Sequence, residues 1–445
     1  MKKIFLIGAG LSASTLIKYL LDNSEKHNWK IRVGDVSVDT VKQKLNGHKN
    51  AEAVKFDIFN EKQRDEEIKN SDIVISMLPA RMHYLTAKSC IKHKKNMVTA
   101  SYVSDELKDM KEDVKKSGIL ILNEIGVDPG IDHMSAMQII DRIHEQGGKI
   151  TAFRSYTGGL IAPDFDNNPW NYKFTWNPRN VVVAGQGPAA KIIVNGKYKY
   201  IPYHRLFKRI ERTNVNEYGE FEVYPNRDSL KYRKSYGLED IPTMVRGTMR
   251  RPGFSKAWNV FVQLGATDDT YTLENSENMT YREFINTFLK YHPILTVEGK
   301  ISNYLNIEED SSVMYKLRWL GIFENEKIGI KNASPAKILQ KILEKKWKFE
   351  ERDRDMLAMQ HKFEYEIKGK KKEIISSMVI EGKDHLHTAM SSTVGLPVGI
   401  AVKMILTGKI KEKGIRIPIN KSIYNPVLRE LQKYGIKFSE VERDL

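Results

Sequence analysis

Short apolar runs separated by longer, helix-periodic polar segments alternate over the first part of the chain. The runs fall at residues 4–7, 30–35, 53–57, 73–79, 96–102 and 119–124. Runs of this length without strict alternation mark strands covered on both faces. Between the first two, Leu16, Leu20 and Leu21 recur on one side of a helical segment, and residues 61–69, 84–93 and 105–116 read as further helices. Six strands alternating with helices over roughly 125 residues predict a complete doubly wound α/β domain with a parallel sheet.

From Lys149 the period changes. Short runs at 150–156, 181–183, 190–194, 198–201 and 221–224 are separated by turn-rich pieces such as Asn167-Asn168-Pro169. They predict a second, largely antiparallel sheet. Beyond Tyr281 the pattern is helical at 284–289, 312–320 and 335–348, read as a helical insertion. Residues 363–367 and 373–379 then restore a hairpin around the Lys368-Gly369 turn. A long apolar helix from Ser392 to Leu406 is expected to return to the first domain.

Composition narrows the class. The chain has 445 residues, enough for two or three domains, and its 41% hydrophobic and 29% charged content is that of a globular protein. A net charge of +16 would suit nucleic acid or a membrane surface. The lysines are scattered, however, as on a solvated face, and such a surface would also draw in a polyanionic small substrate. The single cysteine, Cys90, supports neither an intrachain disulfide nor a cysteine metal cluster. No signal-like stretch and no unbroken run of eighteen apolar residues occurs. The expectation is a cytoplasmic protein without membrane or nucleic-acid partners.

The first turn carries the most specific chemistry. Gly8-Ala9-Gly10-Leu11-Ser12-Ala13 follows the first strand and opens the first helix, the context that a G-x-G-x-x-A dinucleotide fingerprint requires. Gly8 permits the tight turn, Gly10 lets the backbone approach a pyrophosphate, and Ala13 lets the helix pack closely. Free N–H groups at the helix start then face the phosphates. Asp35 ends the second strand, about 20 residues beyond the glycines, where a carboxylate accepts from the ribose hydroxyls and repels a 2′-phosphate. These residues point to a Rossmann domain that binds NAD in preference to NADP. Met77, Leu78 and Pro79, after the fourth strand, are candidates for the cofactor wall. The bland alternative, a glycine turn that binds nothing, has strand, helix and acid in register against it.

Ser101 and Tyr102 lie at the carboxyl end of the fifth strand, where this fold collects ligands. Asp128 sits in a Gly-Val-Asp-Pro-Gly turn as either a loop cap or a partner for a substrate ammonium. His133 is a candidate base or a structural histidine. No cysteine or histidine cluster completes a metal site, so no metal is expected. In the second domain, Tyr224-Pro225-Asn226-Arg227-Asp228-Ser229 and Arg246-Gly247-Thr248-Met249-Arg250-Arg251 concentrate guanidinium groups beside hydroxyls. They are either surface arginines of a basic protein or bidentate clamps for a substrate with several carboxylates.

These segments, with Met97-Val98-Thr99-Ala100-Ser101-Tyr102, Gly126-Val127-Asp128-Pro129-Gly130-Ile131-Asp132-His133-Met134, Gly158-Gly159-Leu160 and Tyr172-Lys173-Phe174-Thr175-Trp176, resemble the L-glutamate-forming saccharopine dehydrogenases. The likeness runs in order from Ile4 to beyond Pro397. It implies a Rossmann domain at residues 1–130, completed by a segment from about 385 to 445. It also implies a mixed-sheet substrate and dimerisation domain at 131–280 and 360–384, and a helical insertion at 281–359. Substrate contacts are implied for Ser101, Tyr102, Asp128, Arg227, Thr248, Met249 and Arg250. Cofactor contacts are implied for the glycine turn, Asp35, Asp57, Met77, Leu78, Pro79 and Ser101. One departure is Thr157, where family members commonly have cysteine.

The implied reaction oxidises saccharopine to glutamate and 2-aminoadipate semialdehyde, or runs the reverse condensation, in a homodimer. Tyr102, Asp128 and His133 are the candidate bases. Two rivals are a carboxyspermidine-type dehydrogenase and a homologue that binds NAD without turnover.

Overall fold

The computed structural model describes residues 1–215 and 217–445. The chain divides into two compact units. One comprises Met1–Lys149 with Met378–Ser439, the other Ile150–Ser377 with Glu440–Leu445.

In the first unit, β1 (Lys2–Ile7), β2 (Trp29–Asp35), β3 (Ala51–Lys55), β4 (Ile73–Ser76), β5 (Asn96–Val98) and β6 (Leu120–Leu122) lie in one parallel sheet with a short strand, Gly414–Arg416. The order is Gly414–Arg416, β6, β5, β4, β1, β2, β3. The winding therefore reverses between β1 and β4, which opens a crevice at their carboxyl ends. Ile4, Phe5, Leu6 and Ile7 are all buried, as a strand covered on both faces requires. The expected fifth strand is shorter than its apolar run, ending at Val98, so Ser101 and Tyr102 lie in the loop after it.

The C-terminal helix Ala389–Leu406 packs on the first helix, Ser14–His27, through two glycines one turn apart. A Cβ at Gly395 would stand 2.8 Å from the Leu16 nitrogen, and one at Gly399 2.6 Å from the Tyr19 ring. Thr15 N donates to Ser391 Oγ across the same seam. This helix has the length and apolarity of a bilayer crossing. Most of it is nevertheless buried against its own unit, which accounts for its composition without a membrane. The helix Ile131–Glu145 also belongs to the first unit, so that unit extends past the expected boundary at residue 130.

The second unit is built on a mixed sheet. Its strands are β7 (Lys149–Ile161), β8 (Ala190–Val194), β9 (Lys197–Ile201), β10 (Glu211–Val215), β11 (Gly219–Pro225), β12 (Thr243–Arg250), β13 (Asp355–Ile367) and β14 (Lys370–Glu381). With the last strand, Ser439–Asp444, the sheet has nine strands among the described residues, and the main path runs β10, β11, β12, β7, β13, β14, Ser439–Asp444, with β8 and β9 to one side. β12 is antiparallel to β11 but parallel to β7, so the sheet is less uniformly antiparallel than the alternating runs suggest. The expected strand at 181–183 is instead the end of a helix, Pro178–Val182. Asn177 caps the Asn180 N–H and Pro178 occupies the first turn, and that start signal overrides three β-branched valines.

The helices Tyr281–Thr287, Val297–Leu305, Ser312–Trp319 and Pro335–Lys346 fall within this unit and form no separate body. Trp170 donates its indole N–H to the Lys316 carbonyl at 2.9 Å and packs against Trp347, Phe254 and Phe261. Beside this aromatic core, Lys173 and Asp353 form a bidentate ion pair at 2.8 Å, both almost wholly buried.

Two stability outcomes are expected. Gly395→Val should lower stability by about 2 kcal/mol, because its branched side chain must push against main chain; an unchanged urea midpoint would contradict the packing. Asp353→Ala should cost about 3–5 kcal/mol by leaving an unpaired buried ammonium. The double replacement Lys173→Met with Asp353→Leu should recover most of that loss in the same measurement.

Candidate functional site

The carboxyl edge of the first sheet carries the glycine turn. Gly8 has φ +98°, and a Cβ there would lie 2.8 Å from the Met77 carbonyl oxygen, so only glycine fits between the turns after β1 and β4. A Cβ at Gly10 would point into open space, the room a pyrophosphate needs next to the backbone. Ala13 is buried, while Leu11 is exposed. Leu11–Ala13 form a tight turn that leads directly into the helix Ser14–His27.

Asp35 is tied into this turn. Its Oδ2 accepts from the Ala9 N–H at 2.8 Å and its Oδ1 from the Ser37 N–H at 3.0 Å. Lys44, which the sequence did not single out, donates its ammonium to the Gly10 carbonyl at 2.7 Å and to Ser14 Oγ at 2.8 Å. Burial pushes its pKa down to about 8, against the opposing pull of Asp35. No spacing rule marks such a lysine, because it reaches the turn from the helix after β2. Asp57 is exposed at the end of β3, where it caps its own turn by accepting from the Phe59 N–H. Met77 and Leu78 are half-buried and Pro79 is exposed beside the Gly8 turn.

Ser101, Tyr102 and Asp128 are gathered near the ends of β5 and β6. The Tyr102 hydroxyl donates to Asp128 Oδ1 at 3.3 Å, and both side chains are half-buried. Asp128 stands on a turn closed by Gly126 N to Pro129 O and Ile131 N to Gly126 O, each 2.9 Å. A Cβ on Gly130 would overlap the Gly126 main chain, which explains the glycine. Asp132 is structural: its carboxylate accepts from the Gly130 N–H at 2.6 Å at the start of the next helix.

His133, read from the sequence as a candidate base or a structural histidine, is fully buried with Nε2 2.9 Å from Glu124 Oε2, an arrangement that favours the structural role. Glu124, another residue the sequence reading passed over, accepts from Val103 N through its other oxygen, and its own N–H donates to the Ser101 carbonyl. Together Glu124 and His133 hold the loop that presents Ser101 and Tyr102. Ser101 Oγ also meets the buried His83 ring at 2.7 Å.

In the second unit the strand period sorts the arginine segment. Arg246, Thr248 and Arg250 alternate along β12 with Gly247 and Met249. Met249 is wholly buried, and so its side chain is a core residue that cannot contact a substrate. The Arg250 guanidinium lies over the rings of Tyr172, Phe254 and Tyr224 at 5.0, 5.3 and 5.9 Å. Its Nε is buried without a partner among the described residues. Arg246 stacks on Tyr232 at 5.1 Å. Arg227 is exposed, with a left-handed backbone, and its turn is anchored by Asn226 N donating to the Arg246 carbonyl at 2.8 Å.

Comparison with known proteins agrees with this geometry. Residues 4–122 match the saccharopine dehydrogenase NADP-binding domain, and residues 126–436 match the saccharopine dehydrogenase C-terminal domain. The chain is 33% identical to saccharopine dehydrogenase (NADP+, L-glutamate-forming) of Pyricularia oryzae, over 99% of this chain and 98% of the relative. The Saccharomyces cerevisiae enzyme of the same name is 32% identical over 99% of each. The apo saccharopine dehydrogenase (L-Glu forming) structure from S. cerevisiae superposes with a TM-score of 0.91, covering 100% of both chains at 31% identity. The chain belongs to the saccharopine dehydrogenase family.

Proposed function

We propose that this protein oxidises saccharopine to L-glutamate and 2-aminoadipate 6-semialdehyde with a nicotinamide dinucleotide, or runs the reverse reductive condensation. The observation that carries the proposal is the match to L-glutamate-forming enzymes over essentially the whole chain, with the Tyr102–Asp128 pair at the ligand edge of the first sheet.

The chemistry follows from the products. The lysine-derived carbon of the secondary amine becomes the aldehyde, so that carbon loses hydride and the nitrogen loses a proton. Water then adds to the resulting imine and releases glutamate. The bound nicotinamide supplies the hydride acceptor. Asp128 attracts the cationic amine, and Tyr102, hydrogen-bonded to it, shares the proton transfer with it. Arg227, Thr248 and Arg250 hold substrate carboxylates. The aromatic walls around Arg250 keep water away from its intrinsically planar fork, which strengthens a bidentate pair.

For the cofactor we favour NAD, although the fungal relatives carry NADP+ in their names. A carboxylate has about four acceptor sites. The Asp35 oxygens each accept one main-chain N–H, leaving one site apiece for the ribose hydroxyls, while the charge opposes a 2′-phosphate. The second reading, NADP, is favoured by the relatives' names and by Lys44, a cation at the same turn. A homodimer in the reducing cytoplasm completes the proposal. The single cysteine, Cys90, is buried with its thiol pKa raised by desolvation, and sedimentation would test the dimer.

A substrate panel separates the rivals: saccharopine should be oxidised far faster than carboxyspermidine-type amines, and tight NAD binding without turnover would favour the non-catalytic homologue. Wild-type enzyme should show a higher kcat/KM with NAD, and Asp35→Ser should shift the NADP to NAD ratio up by about 10-fold or more; an NADP preference already present in the wild type would reverse the cofactor assignment. Arg227→Ala should raise the saccharopine KM by about 10-fold or more. Arg250→Lys, which keeps the charge but loses the fork, should do the same. Near-normal KM values in both variants would remove the carboxylate clamp.

A further inference from the structure

Behind Ser101 lie two buried side chains, Ser76 and His83, that the reaction scheme does not use. Ser76, the last residue of β4, places its hydroxyl 2.8 Å from His83 Nδ1, and His83 Nε2 is 2.7 Å from Ser101 Oγ. Ser76 is fully buried and His83 1% exposed, whereas Ser101 is half-buried. The chain therefore runs from the sheet interior to the edge where ligands bind. Desolvation pushes the His83 pKa down to about 4, and no charged group contributes to the shift. The ring is neutral at physiological pH, with one nitrogen a donor and the other an acceptor.

Satisfying buried donors selects the tautomer. The Ser76 hydroxyl makes its one side-chain hydrogen bond, among the described residues, with His83 Nδ1. Were Nδ1 protonated, it would donate to Ser76 Oγ and leave the Ser76 O–H buried without an acceptor. An orphaned buried donor is the costly arrangement. With Nδ1 bare, Ser76 donates to it, the proton sits on Nε2, and Nε2–H donates to Ser101 Oγ. Ser101 must then direct its own proton outward. The Ser101 N–H donates to Thr99 Oγ1 at 3.2 Å and its carbonyl accepts from Glu124 N at 3.0 Å, so the main chain that carries the hydroxyl is pinned on both sides.

We infer that His83 is a positioning residue: as the neutral Nε2–H tautomer it holds Ser101 as an obligatory hydrogen-bond donor toward an anionic oxygen of the bound amino-acid substrate, an inference that rests on the proposed reaction and on the Ser101 substrate contact that the family resemblance implies. A hydroxyl locked as donor discriminates for a carboxylate oxygen and against an ammonium or amide N–H at the same place. The serine would then add selectivity as well as affinity.

The test combines kinetics with a direct view of the ring. His83→Leu should raise the saccharopine KM by about 10-fold or more, the scale of a lost hydrogen bond to a charged group. His83→Gln, whose amide N–H can stand where Nε2–H stood, should recover most of the loss; His83→Asn, which reaches only toward Ser76, should not. The double variant His83→Leu with Ser101→Ala should be no worse than Ser101→Ala alone. Additive losses, or recovery by Asn in place of Gln, would show a structural role only. Independently of substrate, 15N NMR of ring-labelled histidines, assigned with H83Q, should find one neutral imidazole protonated at Nε2 that does not titrate between pH 5 and 8. Protonation at Nδ1 would overturn the relay while leaving the ligand contact standing, whereas unchanged kinetics in Ser101→Ala would overturn the ligand contact and leave the ring geometry intact.

Discussion

The approach of the Gly8 backbone to the Met77 carbonyl is the constraint from which the site of the first unit follows. The turns after β1 and β4 come close because the sheet reverses its winding between these two strands. That reversal opens a crevice at the carboxyl ends of the two strands. Asp35 ties the same turn to the end of β2 through Ala9, and Lys44 ties it from the following helix through Gly10. The glycine loop is therefore held on three sides before any cofactor arrives, which reduces the entropy lost on binding.

The structure uses buried polar groups in two distinct ways. Lys173 with Asp353, and Glu124 with His133, are buried pairs whose carboxylates each also accept a main-chain N–H, and so act as fixed joints. Arg250 is different, because its charge is sheltered by aromatic faces while its Nε finds no partner among the described residues. Its Nη1 donates to the Met249 carbonyl at 2.8 Å, so the guanidinium is held at one corner by the protein's own main chain. The Ser76–His83–Ser101 chain joins the two kinds, satisfied at its inner end and open at its outer one.

The sequence showed the six main strands, the glycine turn and Asp35 clearly, because each depends on local pattern and on residues adjacent in the chain. The Gly414–Arg416 strand was hidden, being three residues long and paired only by tertiary context. The valines at 181–183 misled, since β-branching is a weaker signal than an Asn-Pro helix start. His133 reads in the sequence as either a base or a structural histidine, and its complete burial on Glu124 favours the second. His83, Lys44 and Glu124 act across elements, over separations that no periodicity records. Met249 lies within a motif implied to touch substrate, yet strand alternation turns its side chain into the core, a distinction that a motif cannot draw but a register can.

The most direct measurement uses saccharopine deuterated at the lysine-derived carbon bonded to the secondary nitrogen, with turnover followed by mass spectrometry of both products. One deuterium is expected on the reduced nicotinamide, one is expected to stay on the semialdehyde, and glutamate is expected free of label. Unlabelled nicotinamide, or label lost to solvent, would contradict hydride transfer from that carbon and with it the assigned reaction.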